Sequence, residues 1–280
     1  MTAHDAPHDI TPIRIRPASG WSALDLASIW EYRELVYYMV WRDIKVRYKQ
    51  TVLGFAWALL QPLASMVVFT IIFGRLAQLP SEGVPYPVFT LAALLPWQLF
   101  ASGFTGAANS VAGNAGVISK VYFPRLIIPM AAVAATVVDF AVSLVLLVVL
   151  MVWYGVPFSG NVVFLPLFAA IALLTAFAAG LWTASLNVKY RDVRYVLPYF
   201  QQLWLFASPV VYSVTLVPER YQTLYALNPL VGVIRGFRWA LFGGQSPWTL
   251  MAGSLAVAGV FLIGGLYYFR RAEEQFSDFL

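Results

Sequence analysis

The chain has 280 residues, 60% of them hydrophobic and only 11% charged, with a net charge of +5. Soluble domains carry roughly 25% charged residues, so a water-soluble fold is excluded and lipid must be the solvent for much of the surface. There are no cysteines, and the only histidines, His4 and His8, sit in the polar leading segment; disulfides, thiolate chemistry and zinc or imidazole chemistry within the membrane are excluded with them.

Residues 1–20, MTAHDAPHDITPIRIRPASG, lack the apolar h-region of a cleavable signal and read as a disordered cytoplasmic tail. Residues 21–50 form the next unit. Ser22 with Asp25 three residues on resembles a capping box. Beyond it, Tyr37, Val40, Trp41, Ile44 and Tyr48 share one helical face, while Arg42, Lys45 and Lys49 share another, with Arg47 close by. This is the pattern of an interfacial amphipathic helix, basic side toward lipid phosphates and aromatic side toward acyl chains.

Residues 51–270 carry six apolar segments of spanning length, 53–74, 88–112, 127–153, 163–186, 196–214 and 248–269. The turn residues Gly155, Pro157 and Gly160 divide the third from the fourth. In the first, Gln61-Pro62 interrupts the apolar run, and proline frees a carbonyl one turn earlier. In the second, Gln98, Ser102, Thr105 and Asn109 make one polar stripe beside an aromatic stripe of Trp97, Phe100 and Phe104. In the third lies Asp139, open to a structural hydrogen bond or to proton coupling, with no intramembrane Lys, Arg or His to complete a relay. In the fifth, Tyr195, Tyr199, Gln202 and Phe206 share a face. Such stripes suit either helix–helix hydrogen bonding or a hydrated path. Between the fifth and sixth segments, Asn228-Pro229 starts a helix that Gly243-Gly244 stops; with Arg235 and Arg238 it is too short and too charged to cross. Residues 271–280 form a second cytoplasmic tail.

Lys and Arg set the orientation. Seven precede the first segment, two lie between the second and third, three between the fourth and fifth, and two follow the sixth, against Arg75, Arg220, Arg235 and Arg238 on the other side. Both termini are therefore expected in the cytoplasm. No phosphate-cradling G-x-x-x-x-G-K-[ST] motif occurs, since GNAGVISK lacks the Gly-Lys pair, and no nucleophile–base pair is evident. The chain does not read as an enzyme, needs no cofactor of its own, and is expected to bind membrane lipids and no nucleic acid. Uphill transport would draw on a partner or an ion gradient.

Five motifs taken in order carry a resemblance: RDIKVRYKQTVLGFAWALLQPL, LLPWQLF, ISKVYFPRLIIP, YRDVRYVLP and NPLVGVIRGFRWALFG. Over about residues 30–272 the chain resembles the permease subunit of type-2 ABC exporters of polysaccharide, the O-antigen and capsule export family. The resemblance implies an all-α integral membrane protein of six transmembrane helices, with an N-terminal interfacial helix, a cytoplasmic coupling helix and outer re-entrant gate helices. It implies a homodimer around one path in the bacterial inner membrane, served by two copies of an ABC ATPase that hold the ATP and Mg. Lipid-linked polysaccharide is the implied cargo. Arg42, Lys45, Arg47 and Lys49 would draw in the lipid anchor. Residues 114–125, with Val117, Lys120, Val121, Tyr122 and Arg125, would couple to the ATPase. The stripes of the second and fifth segments would line the path, and the helix bearing Asn228, Pro229, Arg235 and Arg238 would form the outer gate. An exporter of another cargo or an ion-driven carrier shares many of these features.

Overall fold

The computed structural model describes residues 26–49 and 56–276. The leading tail, the Ser22–Asp25 pairing, the first residues of the first predicted span and residues 277–280 lie outside them. All described regular structure is helical. In chain order it comprises α1 (Leu26–Glu31), α2 (Arg33–Tyr48), α3 (Ala56–Phe69, wound on through Leu76), α4 (Tyr86–Gly113), α5 (Ala115–Ile118), α6 (Ile127–Ala134), α7 (Val137–Trp153), α8 (Leu165–Lys189), α9 (Val193–Phe206), α10 (Glu219–Tyr225), α11 (Pro229–Phe242) and α12 (Trp248–Glu273). Five stretches are long and apolar enough to cross a bilayer: Ala56–Leu76, Tyr86–Gly113, Ile127–Trp153, Gly160–Lys189 and Trp248–Glu273. The protein is a multi-pass membrane protein.

The central helix is α4, and most of its spanning length is buried. It packs closely on α8 because both present small residues: a Cβ on Gly180 would fall 2.4 Å from that of Ala107. Asn187 locks the pair, donating from Nδ2 to Ala108 O at 2.9 Å and to Asn109 Oδ1 at 3.0 Å. Such contacts replace the hydrophobic drive that lipid does not supply between helices.

α3 runs on through Pro62, which removes the bond to the Ala58 carbonyl. Ser143 of α7 stands at the freed group, its hydroxyl 3.1 Å from Ala58 O and 2.9 Å from Asp139 O. The freed carbonyl is thus compensated by a serine on the neighbouring helix, and not by the adjacent Gln61.

The basic helix α2, the collar helix, rests on α6 at one end of the bundle, the collar end. Its inward stripe is Leu35, Val36, Met39 and Val40, packed on Phe123, Ile127, Ile128 and Ala131. The predicted aromatic face is therefore divided. Val40 turns to the protein, Ile44 and Tyr48 are half-buried, and Tyr37 and Trp41 stay exposed with Tyr38. The helix has two apolar sides, one for α6 and one left outward.

The fifth predicted span, 196–214, departs most from expectation. α9 has only 14 residues, about 21 Å of helix against a hydrocarbon core of roughly 30 Å. It stops where Pro209 cannot donate to Leu205. Chain without helix follows, and its carbonyls are met one by one. Asn228 Nδ2 donates to Ala207 O (3.1 Å), the Val210 amide to Ser208 O (2.7 Å), and Tyr86 Oη to Val211 O (2.5 Å). Arg238 supplies the rest: Nη1 to Pro209 O (2.8 Å) and Tyr212 O (3.1 Å), Nη2 to Val210 O (2.8 Å), with Nε and Nη2 both 3.3 Å from Phe89 O. Its guanidinium also lies 3.5 Å from the Phe89 ring centre.

Arg238 can reach these groups because α11 is sunk into the bundle and does not lie along its surface. Asn228 caps it, accepting from the Leu230 amide at 3.1 Å. Gly236 admits the Phe168 ring where a Cβ would sit 2.3 Å from it, and the Gly232 amide donates to Ser254 Oγ at 3.0 Å.

Replacing Arg238 by Met is expected to strand several buried carbonyls and to lower stability by at least about 3 kcal/mol. Lys, a point charge without the fork, is not expected to rescue. Thermal unfolding of the purified protein in detergent, with membrane yield alongside, checks both.

Candidate functional site

Spacing along a helix defines a stripe but not its neighbours. In α4 the aromatic stripe is core: Trp97, Phe100 and Phe104 are buried. Phe100 meets the edge of Trp204 from α9 at 4.8 Å and stacks with Phe104 at 5.7 Å. Phe100 and Phe104 hold α9 on α4 through Trp204, and the buried stripe presents no surface to a path within one chain. The polar stripe beside them divides. Thr105 Oγ1 accepts from Gln201 Nε2 at 2.7 Å, and that amide also reaches Ala101 O at 2.9 Å. Asn109 receives Asn187. Both therefore join helices. Gln98 and Ser102 face a cavity of about 360 Å³ between α3, α4 and α7.

α9 behaves in the opposite way. Tyr195 and Tyr199 are each 72% exposed, and Gln202 and Phe206 are exposed with them. The predicted row on this helix survives folding as surface. A second exposed row, Val196, Phe200 and Leu203, runs alongside it. By its position deep in the fifth segment, Trp204 stands apart from a helix-end aromatic belt, whereas Gln201 carries no such signal; these two residues turn this face outward by anchoring the other side of α9. Only their partners on α4 reveal that role.

The cavity between α3, α4 and α7 also holds Asp139, and it supplies the basic partner that no span contains. Arg47 forms an ion pair with Asp139, and the Tyr48 phenol donates to the same carboxylate. Burial, and then the hydrogen bond to Asp139, push the Tyr48 phenol up, so it remains a donor at neutral pH. The partner lies 92 residues upstream, on the collar helix. Arg47 is thus committed to α7. Arg42 is committed as well, pairing with Asp43 at 2.8 Å. Lys45, its ammonium 5.2 Å from the Trp41 ring centre, and Lys49 are exposed.

The segment 114–125 contains one short helix, α5, followed by turns. Val117, Lys120, Val121 and Tyr122 are exposed on it, as a docking surface requires. Arg125 is not: its Nη1 donates to Glu273 O at 2.5 Å and its guanidinium lies 5.9 Å from the Phe276 ring centre, which ties this loop to the end of α12. At the opposite end, Asn228, Pro229 and Arg238 are structural parts of the α9–α11 break, as described above. Arg235 is half-buried, donating to Gln245 Oε1 at 3.1 Å, and lines a cavity of about 310 Å³ with Glu82, Trp239 and Phe242. Of the four residues assigned to an outer gate, Arg235 and Arg238 both line this cavity, but Arg238 is buried and held by backbone carbonyls.

Residues 34–242 match the protein family described as ABC-2 type transporter. The O-antigen export system permease protein RfbA of Myxococcus xanthus is 28% identical over 254 residues, 89% of this chain and 96% of the relative. The protein of the same name from Klebsiella pneumoniae is 28% identical over 242 residues, 85% of this chain and 92% of the relative. The polysialic acid transport protein KpsM of Escherichia coli is 27% identical over 237 residues, 83% and 91% of the two chains.

The Arg47–Asp139 contact is half-exposed, so its coupling energy is expected to be about 1 kcal/mol or less. A double-mutant cycle of Arg47→Gln and Asp139→Asn in thermal unfolding measures it. Protease cleavage between α2 and α3 is expected to quicken in either single variant and to be no faster in the double.

Proposed function

The chain belongs to the ABC-2 type transporter family, and on that premise we propose that it is the membrane-spanning permease of an ATP-driven exporter of O-antigen-like polysaccharide carried on a lipid. The observation that carries this reading is the exposed row of Tyr195, Tyr199, Gln202 and Phe206 on a short, lightly packed helix. Aromatic faces stack on the C–H faces of sugars while letting a chain slide, and an amide between them can exchange hydrogen bonds with hydroxyls.

Two copies of the chain form a homodimer in the bacterial inner membrane, with their α9 rows facing a shared path. α3 completes the wall between copies: Leu60, Val67, Val68, Ile71 and Ile72 are exposed along it. Both termini are cytoplasmic, as the Lys and Arg distribution favours. α2 lies at the inner membrane surface with Lys45 and Lys49 toward lipid phosphates and Tyr37 and Trp41 toward acyl chains. Two copies of a separate ABC ATPase bind ATP and Mg and dock against Val117, Lys120, Val121 and Tyr122. Their closure pushes on this segment. The push passes into α4 and α6, which flank it in the chain, and into α12 through Arg125 and Glu273. α4 carries α9 through the Phe100–Trp204 and Thr105–Gln201 contacts, so a shift of α4 moves the α9 row.

Replacing Tyr195, Tyr199 and Phe206 together by Ala removes three aromatic contacts worth about 1 kcal/mol each, and export is expected to fall at least about tenfold. Surface polysaccharide on cells lacking the native permease, with ATPase co-purification as the control for assembly, decides it; full export by the assembled variant would reject the row as the path. Replacing Val121 by Asp and Tyr122 by Ala is expected to abolish ATPase co-purification while leaving thermal stability of the isolated permease unchanged.

A further inference from the structure

At the collar end, the tips of α4, α8 and α9 enclose a cleft of about 440 Å³ lined by Asn187, Arg191, Arg194 and Tyr195, with Ala112 and Ala115 as its apolar wall. Arg191 and Arg194 are exposed, and neither forms an ion pair among the described residues. They differ in this from Arg42 and Arg47, whose charges Asp43 and Asp139 answer. Two guanidinium forks at the rim of one cleft suit a tetrahedral, multiply charged oxyanion, which can take bidentate bonds from each.

What adjoins the cleft narrows the ligand further. Tyr195 belongs both to the cleft and to the exposed row that continues through Tyr199, Gln202 and Phe206, about 17 Å along the helix. One residue on in register, Val196, Phe200 and Leu203 form the parallel apolar row, also exposed. An anion-binding cleft therefore opens onto a sugar-compatible strip and a hydrocarbon-compatible strip on the same helix. A single molecule matches all three: a lipid whose phosphate or pyrophosphate links a hydrocarbon tail to a glycan.

We infer that Arg191 and Arg194 receive the phosphate or pyrophosphate of a lipid-linked glycan, with its hydrocarbon tail against Val196, Phe200 and Leu203 and its first sugar against Tyr195. This deepens the export reading and rests on it. The collar helix then serves bulk lipid, while the α9 foot selects the cargo's charged linkage.

The test uses the full-length permease assembled with its ATPase in lipid nanodiscs, titrated with farnesyl pyrophosphate and with farnesol, and read by intrinsic tryptophan fluorescence. Arg191→Gln with Arg194→Gln is expected to weaken farnesyl pyrophosphate binding about tenfold or more, with farnesol binding unchanged. Arg220→Gln, a cation at the opposite end, is expected to bind as the wild type. The pair Arg191→Lys with Arg194→Lys keeps the charge but loses the forks and is expected to weaken binding by a smaller factor. If the Gln pair does not assemble, the Lys pair decides, and unchanged binding by it overturns the assignment. Unchanged affinity in an assembled Gln pair overturns it too, as does a loss confined to Lys45→Gln with Lys49→Gln. Nanodiscs of phosphatidylcholine with and without phosphatidylglycerol separate the sources of phosphate: if phosphatidylglycerol reduces wild-type binding to the level of the Gln pair, a phospholipid headgroup is the occupant and the glycan-lipid assignment falls. Loss of ATPase co-purification with intact farnesyl pyrophosphate binding would assign the arginines to the protein partner instead. Surface polysaccharide in wild-type cells is scored separately; export that proceeds while the Gln pair binds normally sinks this site and leaves the export reading standing.

Discussion

A chain that stops being helical where it is buried must find a donor for every carbonyl it removes from water. That requirement governs the stretch from Ala207 to Tyr212, and the donors come from three distant places: Tyr86 at the start of α4, Asn228 at the start of α11, and Arg238 within α11. Arg238 is 5% exposed, and no described carboxylate pairs with it; Glu82, the nearby acid, accepts from the Ser213 hydroxyl instead. A fixed charge dissolved by backbone carbonyls and one aromatic ring avoids the full cost of burial. The consequence is positional. With Arg238 in place α11 must sit inside the bundle, and α9 must end early.

A short α9 is what makes an exposed polar and aromatic row tolerable. One of its sides is consumed by Trp204 against Phe100 and by Gln201 against Thr105. The remaining side is left to whatever lies beyond the single chain. The aromatic groups of α4 and α9 look alike in sequence, yet one set is mortar and the other is surface. Charge is sorted in the same manner: Arg42, Arg47, Arg125 and Arg238 are occupied within the fold, whereas Lys45, Lys49, Arg191 and Arg194 face outward.

Much of the helical layout was legible because it follows from local rules. The break at Gly155–Gly160 and the Asn228-Pro229 start of α11 appear as the turn and capping residues indicate. Less legible was anything that depended on a partner far along the chain. Asp139 lacked a cation within the spans because its cation, Arg47, lies on the collar helix. The full-length fifth span failed because hydropathy counts apolar residues and does not register that Ser208-Pro209 ends the helix while tertiary donors make that ending affordable.

By itself, then, the amino-acid order determined that this protein lives in lipid, where its helices begin and turn, and which end carries the positive charge, since composition, periodicity and capping act over a few residues. Only the tertiary structure decided which stripes became core and which remained surface, and which cations were spent on internal partners. Those outcomes depend on what packs beside each helix, and a helix's own residues do not specify its neighbours.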